Sequence, residues 1–93
     1  MYKMQMLCAI QEALDTNRCF AIAIKNNELK EEEIIINPNS NLANKLKYYS
    51  EAYCGCCRLK SNRDIEIVAY ASGRDKMEAL TNITHKLKGS HVK

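Results

Sequence analysis

The run Cys19-Phe-Ala-Ile-Ala-Ile-Lys25 alternates large and small side chains without a break. Successive side chains of a strand point to opposite faces, so Phe20, Ile22 and Ile24 share one side and Cys19, Ala21 and Ala23 the other. Neither side is polar. Such a strand has to be covered on both faces, with a helix close to the small side. Asn26-Asn27 then marks a turn, since Asn tolerates positive φ. Glu31 to Ile36 reads as the next strand, and its three consecutive Ile residues imply burial on both faces at that end. The two strands form an antiparallel hairpin with a polar tip at 26–30.

A second hairpin follows the same logic. Residues 56–60 read as a short strand, Ser61-Asn62-Arg63-Asp64 as its turn, and Ile65 to Ala71 as a strong strand. Simple alternation puts Ile65, Ile67, Ala69 and Ala71 on one face and Tyr70 with Glu66 and Val68 on the other.

Three segments carry helical spacing. In residues 3–15, Met6, Ile10 and Ala13 recur at steps of four and three, with Leu7 and Leu14 beside them, until Thr16-Asn17-Arg18 breaks the pattern. After Pro38, any of Asn39, Ser40 or Asn41 can cap a second helix. Its stripe is Leu42, Leu46, Tyr49 and Tyr53, with Gly55 as a left-handed stop. Asp75 with Glu78 three residues on is a capping-box start for a last helix. Its expected stripe is Met77, Leu80, Ile83 and Leu87, and Gly89 ends it.

The order is α-β-β-α-β-β-α. This predicts an α+β fold, a mostly antiparallel sheet of three to four strands packed with helices. Ninety-three residues allow one domain, assigned to 1–89, with 90–93 as a frayed tail. The second and third thirds also match in pattern at an offset of 34, which raises an internal repeat as an alternative.

Charge and cysteine usage narrow the function classes. The net charge is +3, and residues 54–93 hold eight of the fourteen basic side chains but four of the eleven acidic ones. The pI of 8.6 lies below the value of about 9 typical of dedicated nucleic-acid binders. No apolar run approaches the roughly 18 residues of a membrane span. Glu12 and Asp15 come too early for a signal peptide. Five cysteines, an odd number, then point to reduced thiols and a cytoplasmic location. In that compartment the sequon Asn82-Ile83-Thr84 carries no glycan.

Tyr53-Cys54-Gly55-Cys56-Cys57 is the most unusual stretch. Cys54 and Cys57 have the C-x-x-C spacing that lets two thiolates share a zinc ion. A structural zinc site needs four ligands, and Cys8, Cys19, Cys56, His85 and His91 are scattered, so no metal or other cofactor is assigned. A C-x-x-C redox pair belongs at a helix N-terminus, whereas this one follows a helix and enters a strand. The plainer reading turns Cys57 with Leu59 into the core and leaves Cys54 and Cys56 near the surface. No Walker loop, nucleophile elbow or dinucleotide fingerprint occurs, and Glu31 to Glu33 read as a solvated strand edge that discourages edge pairing. The chain is therefore read as a non-enzyme. The candidate partner-binding residues are Tyr48, which lies off its helix's apolar stripe, and the basic set Arg58, Lys60, Arg63 and Arg74. They fit a protein partner or a homodimer. The basic second hairpin with Tyr70 amid it gives one alternative, nucleic-acid binding, and a metal-binding domain with Cys54 and Cys57 as ligands is the other.

Two stretches carry a likeness in style. Glu33 to Tyr53, strand-Asn-Pro-helix with Lys-Tyr-Tyr, and Ile65 to Gly73 together resemble small uncharacterised proteins of phages and prophages of Gram-positive bacteria. The likeness covers about 30 of the 93 residues, excludes the cysteine cluster and brings no catalytic residues. It implies a short accessory protein that works by binding, often by blocking a host or defence protein.

Overall fold

A computed structural model describes residues 1–89, with Gly89 described by its backbone only. The frayed tail expected at 90–93 lies outside the described residues. In chain order the elements are α1 (Lys3–Asp15), β1 (Cys19–Asn26), β2 (Glu31–Asn37), α2 (Leu42–Ala52), β3 (Arg58–Leu59), β4 (Asn62–Gly73) and α3 (Lys76–Gly89). The four strands form one antiparallel sheet in the order β2-β1-β4-β3. The fold is α+β, in the element order expected. A repeat of the strand-strand-helix unit would put α2 and α3 on the same face of the sheet, yet they pack on opposite faces.

Helices cover both faces. Phe20, Ile22 and Ile67 pack with Met6, Ile10 and Ala13 of α1 and with Leu42, Tyr49 and Tyr53 on the α2 side. Ala21, Ala23, Ala69 and Ala71 pack on the other face with Ala79 and Ile83 of α3. The large and small sides of β1 thus meet different helices, as its alternation requires. The small side lets α3 come close. A Cβ on Gly73 would lie 2.3 Å from the Ala79 amide nitrogen, a backbone contact that no side-chain rotation can relieve. Because backbone meets backbone here, Ala79 and Ile83 face inward, with Leu87 packed beside them. Met77 is 71% exposed and Leu80 38%, so the apolar stripe expected through them is shifted round the helix.

β4 departs from simple alternation. Ala23 pairs with Ala69 but Ile24 pairs with Ile67, so Val68 is an extra residue opposite β1. This β-bulge puts Ile67 on the α1/α2 face with Tyr70, while Val68, Ala69 and Ala71 stay under α3. The expected set Ile65-Ile67-Ala69-Ala71 is therefore split.

The connections show where local chemistry succeeds. At the end of α1, Asn17 takes φ 57°. The Arg18 amide donates to the Ala13 carbonyl (2.8 Å) and the Asn17 amide to Leu14 (3.3 Å), a Schellman stop. The Asn26 side-chain oxygen accepts from the Glu28 and Leu29 amides at 3.0 and 3.1 Å, while the left-handed residue of that turn is Lys30 (φ 60°), not Asn26 or Asn27. Asn39 does not cap α2. A short 3-10 turn at Asn39–Asn41 intervenes, and the Asn39 amide group donates to the carbonyls of Ala13 and Arg18, holding the end of α1. For α3, the expected cap is present: the Glu78 amide donates to Asp75 Oδ1 (2.8 Å), and Glu78 Oε1 accepts from the Arg74 amide (2.7 Å). The bonds to Arg74 and its guanidinium charge hold the Glu78 carboxyl below its ordinary pKa.

Candidate functional site

Most of the residues singled out by the sequence gather at one end of the molecule, where α2 stops and β3 meets β4. Tyr48 lies on α2, 47% exposed. Its ring meets Tyr49 edge-on (centroids 5.3 Å) and Tyr53 edge-on (6.2 Å), and both of those rings are buried. Burial, above all, pushes the Tyr53 hydroxyl up to about 12, reinforced by the neighbouring Tyr48, Tyr49 and Cys57. The Tyr49 hydroxyl also rises through burial, an effect that Asn37 partly offsets. Tyr53 forms an isolated bridge to Leu59, and the Lys60 amide donates to the Ala52 carbonyl (2.9 Å). Tyr48 is thereby joined to β3 through one buried ring.

Arg58 and Arg63 occupy the adjoining hairpin. Arg58 donates to the Arg63 carbonyl (3.0 Å) and pairs with Glu66 at 3.8 Å. Glu66 also accepts from Asn27 Nδ2 (2.7 Å), which ties the first hairpin's tip to the second. Arg63 and Lys60 are exposed. Arg74 stands apart: it follows the far end of β4, about 35 Å from Arg63 at the usual rise of a strand. There it forms an ion pair with Glu78 at 3.1 Å. The five candidate partner residues therefore do not make one surface. Tyr48, Arg58, Lys60 and Arg63 belong to one end, Arg74 to the other.

Between α2 and β3 lies the cysteine loop. The Cys57 amide donates to the Cys54 carbonyl (2.9 Å), and the Cys54 amide to the Arg58 carbonyl (2.9 Å). Gly55 has no positive φ; the left-handed residue is Cys57, at φ 64°. α2 ends instead in the extended Tyr53, so Gly55 is not the stop expected. This is a tight turn followed by a left-handed residue, where glycine is usual. A non-glycine there costs about 1 kcal/mol or more and persists only where surroundings hold it. They do here: Cys57 is fully buried, and its carbonyl accepts from Ile67 (2.9 Å). The same conformation cuts β3 to two residues, shorter than the 56–60 strand expected. Lys3 fixes the loop from outside, its amide donating to the Gly55 carbonyl (2.9 Å) and its ammonium to Ser50 and Tyr53.

The outcome for the thiols differs from the C-x-x-C reading. Cys57 is in the core, where burial raises its thiol pKa. The sulfurs that meet are those of Cys54 and Cys56, 3.0 Å apart. The Cys56 thiol, the amides of Cys56 and Arg58, and the Arg63 charge together lower Cys54 to about 7. Arg63 Nη2 lies 4.0 Å from Cys56 Sγ. Among the described residues, no group of three or more His, Cys, Asp or Glu side chains could hold a metal ion. The pairing of Cys54 with Cys56 has no signal in spacing; only the turn, through the left-handed Cys57, creates it.

Tyr70, the aromatic of the nucleic-acid alternative, stacks on Phe20 (5.7 Å, 18°), and Lys86 Nζ lies 4.8 Å from its ring centroid. Lys86 also donates to the Tyr70 carbonyl and Asn82 to the Ser72 carbonyl (2.8 Å), so side chains of α3 occupy the edge of β4 beyond β3. No helix among the described residues is long and apolar enough to cross a membrane. No family model, curated protein or solved structure matches this chain.

Proposed function

We propose that this chain is a small non-enzymatic, cytoplasmic protein-binding module that meets its partner with the end formed by Tyr48, Arg58, Lys60 and Arg63. The observation that carries the reading is Tyr48: half exposed, yet held edge-on by two buried rings. A rigid, amphipathic ring loses little conformational freedom on binding, which is why tyrosine is favoured at interface centres. The three cations of the adjoining hairpin, Arg58, Lys60 and Arg63, would steer an acidic surface into place. The resemblance to phage accessory proteins supports a partner that is a host or defence protein, blocked by the contact. A second copy of the chain is the other partner class.

The test compares the wild-type chain with a Tyr48→Ala, Arg63→Glu double variant by affinity capture from a bacterial lysate, with native mass spectrometry of the purified protein alongside. One protein captured in stoichiometric amount, and weakened at least 30-fold by the double variant, is expected of an anchor contributing about 2 kcal/mol. Capture that the variant leaves intact would remove this surface from the reading. Binding to random duplex DNA at physiological salt, falling with a log–log slope of about 0.9 per phosphate contact, would replace the reading with the nucleic-acid one.

A further inference from the structure

The loop that places Cys54 against Cys56 is held on all sides. Its turn closes through the Cys57 amide, its flanks through Arg58 and Ile67, and its apex through the Lys3 amide of α1. The left-handed Cys57 turns the chain so that its own thiol enters the core and the two preceding thiols share the outer side. Two sulfurs 3.0 Å apart on such a loop need little motion to bond. Core packing does not explain the pair, since Cys56 is exposed and Cys54 half-buried.

We propose that Cys54 and Cys56 are a reversible dithiol–disulfide pair that exchanges with small-molecule disulfides, Cys54 attacking first and Cys56 resolving. The Cys54 thiolate attacks one sulfur of a disulfide RSSR, forming a Cys54–SR bond and expelling RS⁻, which takes a proton from water. Cys56 gives its proton to solvent and attacks the Cys54 sulfur. The Cys54–Cys56 bond forms and the second RS⁻ leaves and is protonated. Two protein thiols are oxidised and one RSSR is reduced to two RSH; excess thiol reverses both steps. The Cys54 thiolate is available near neutral pH, where an attacking thiol is most effective. Arg63 Nη2 lies 4.0 Å from Cys56 Sγ, the sulfur that resolves the mixed disulfide. Cys57 takes no part, being fully buried. The pair reacts in this way whether or not the end that carries it binds a protein.

The experiment uses the full chain, reduced, then held in a buffer of glutathione and glutathione disulfide. After an acid quench the protein is unfolded and alkylated, and intact and peptide masses are read. The wild type is expected to lose two hydrogens, to keep three of its five cysteines alkylatable, and to show Cys54 and Cys56 linked within one peptide. Cys56→Ser is expected to stop at a glutathione adduct on Cys54, and Cys54→Ser to react several-fold more slowly. A wild type that accumulates the adduct without closing the bond overturns the proposal. So does a bond that maps to Cys57 or links two chains. The wild-type masses decide the matter on their own, whether or not either variant folds.

Discussion

Under α3 the sheet offers Ala21, Ala23, Ala69 and Ala71; under α1 and α2 it offers Phe20, Ile22, Ile67 and Tyr70. The same two strands, β1 and β4, supply both surfaces, yet the two are held by different means. The alanine face gains contact by bringing backbones together, to the point that Gly73 has no room for a Cβ. The opposite face keeps the helices further off and fills the gap with large rings and branched chains. The first is therefore sensitive to added atoms and the second to lost ones. The largest effect is expected on the second. Phe20, 1% exposed and stacked on Tyr70, should cost about 3–5 kcal/mol when replaced by alanine, because neither helix can follow the lost ring inward. Urea unfolding measures it. A cost below about 1 kcal/mol would mean that this face collapses as readily as it packs.

On the alanine face the damaging change is an addition. Gly73→Ala forces α3 off β4, at about 3 kcal/mol. Because the clash is with the Ala79 backbone nitrogen, trimming the facing residue by Ala79→Gly should not rescue it. Gly55→Ala is the control in the same unfolding series, since nothing lies within 4 Å of a Cβ there. Equal costs for the two glycines would mean that backbone proximity does not set the α3 interface.

The difference between the faces was legible in Cys19 to Lys25, because alternation on an unbroken strand depends only on the backbone's period. The end of α1 was legible too, since Asn17 closes that helix by local hydrogen bonds. What could not be read arises from contacts distant in sequence. Val68 becomes a bulge only because Ala69 must reach Ala23 while Ile67 reaches Ile24, and the slip reassigns every β4 residue before it. Met77 and Leu80 look like core by spacing, but a helix seated on alanines turns its smallest residue inward. At the candidate site, the individual residues Tyr48, Arg58, Lys60 and Arg63 were readable as surface types, whereas Arg74's separation from them depends on the length of β4. The thiol pair was hidden for a like reason: Cys57, not Gly55, takes the left-handed turn, so spacing pointed to Cys54 with Cys57.

The faces also differ in what they do when protons leave. The buried residues under α3 are alanines and one isoleucine, with nothing to ionise, while the opposite face buries Tyr49 and Tyr53. In the folded chain Tyr53 is raised from 10.0 to about 12, principally because burial disfavours the phenolate. The unfolded chain releases this proton from about pH 10 upward and the folded chain holds it. The associated stability is thus fully present below pH 10 and is lost as pH rises through 10 to about 12, by on the order of 2 kcal/mol. Tyr53→Phe keeps the ring and removes the titration, so its unfolding midpoint should fall less steeply than the wild type's across that window. Amide exchange should show where the structure loosens: first in α1 and α2, and only later where α3 crosses β4. Identical alkaline slopes in the two proteins, or loosening that begins at α3, would mean that the buried tyrosines do not control the large face and that the two surfaces fail as one.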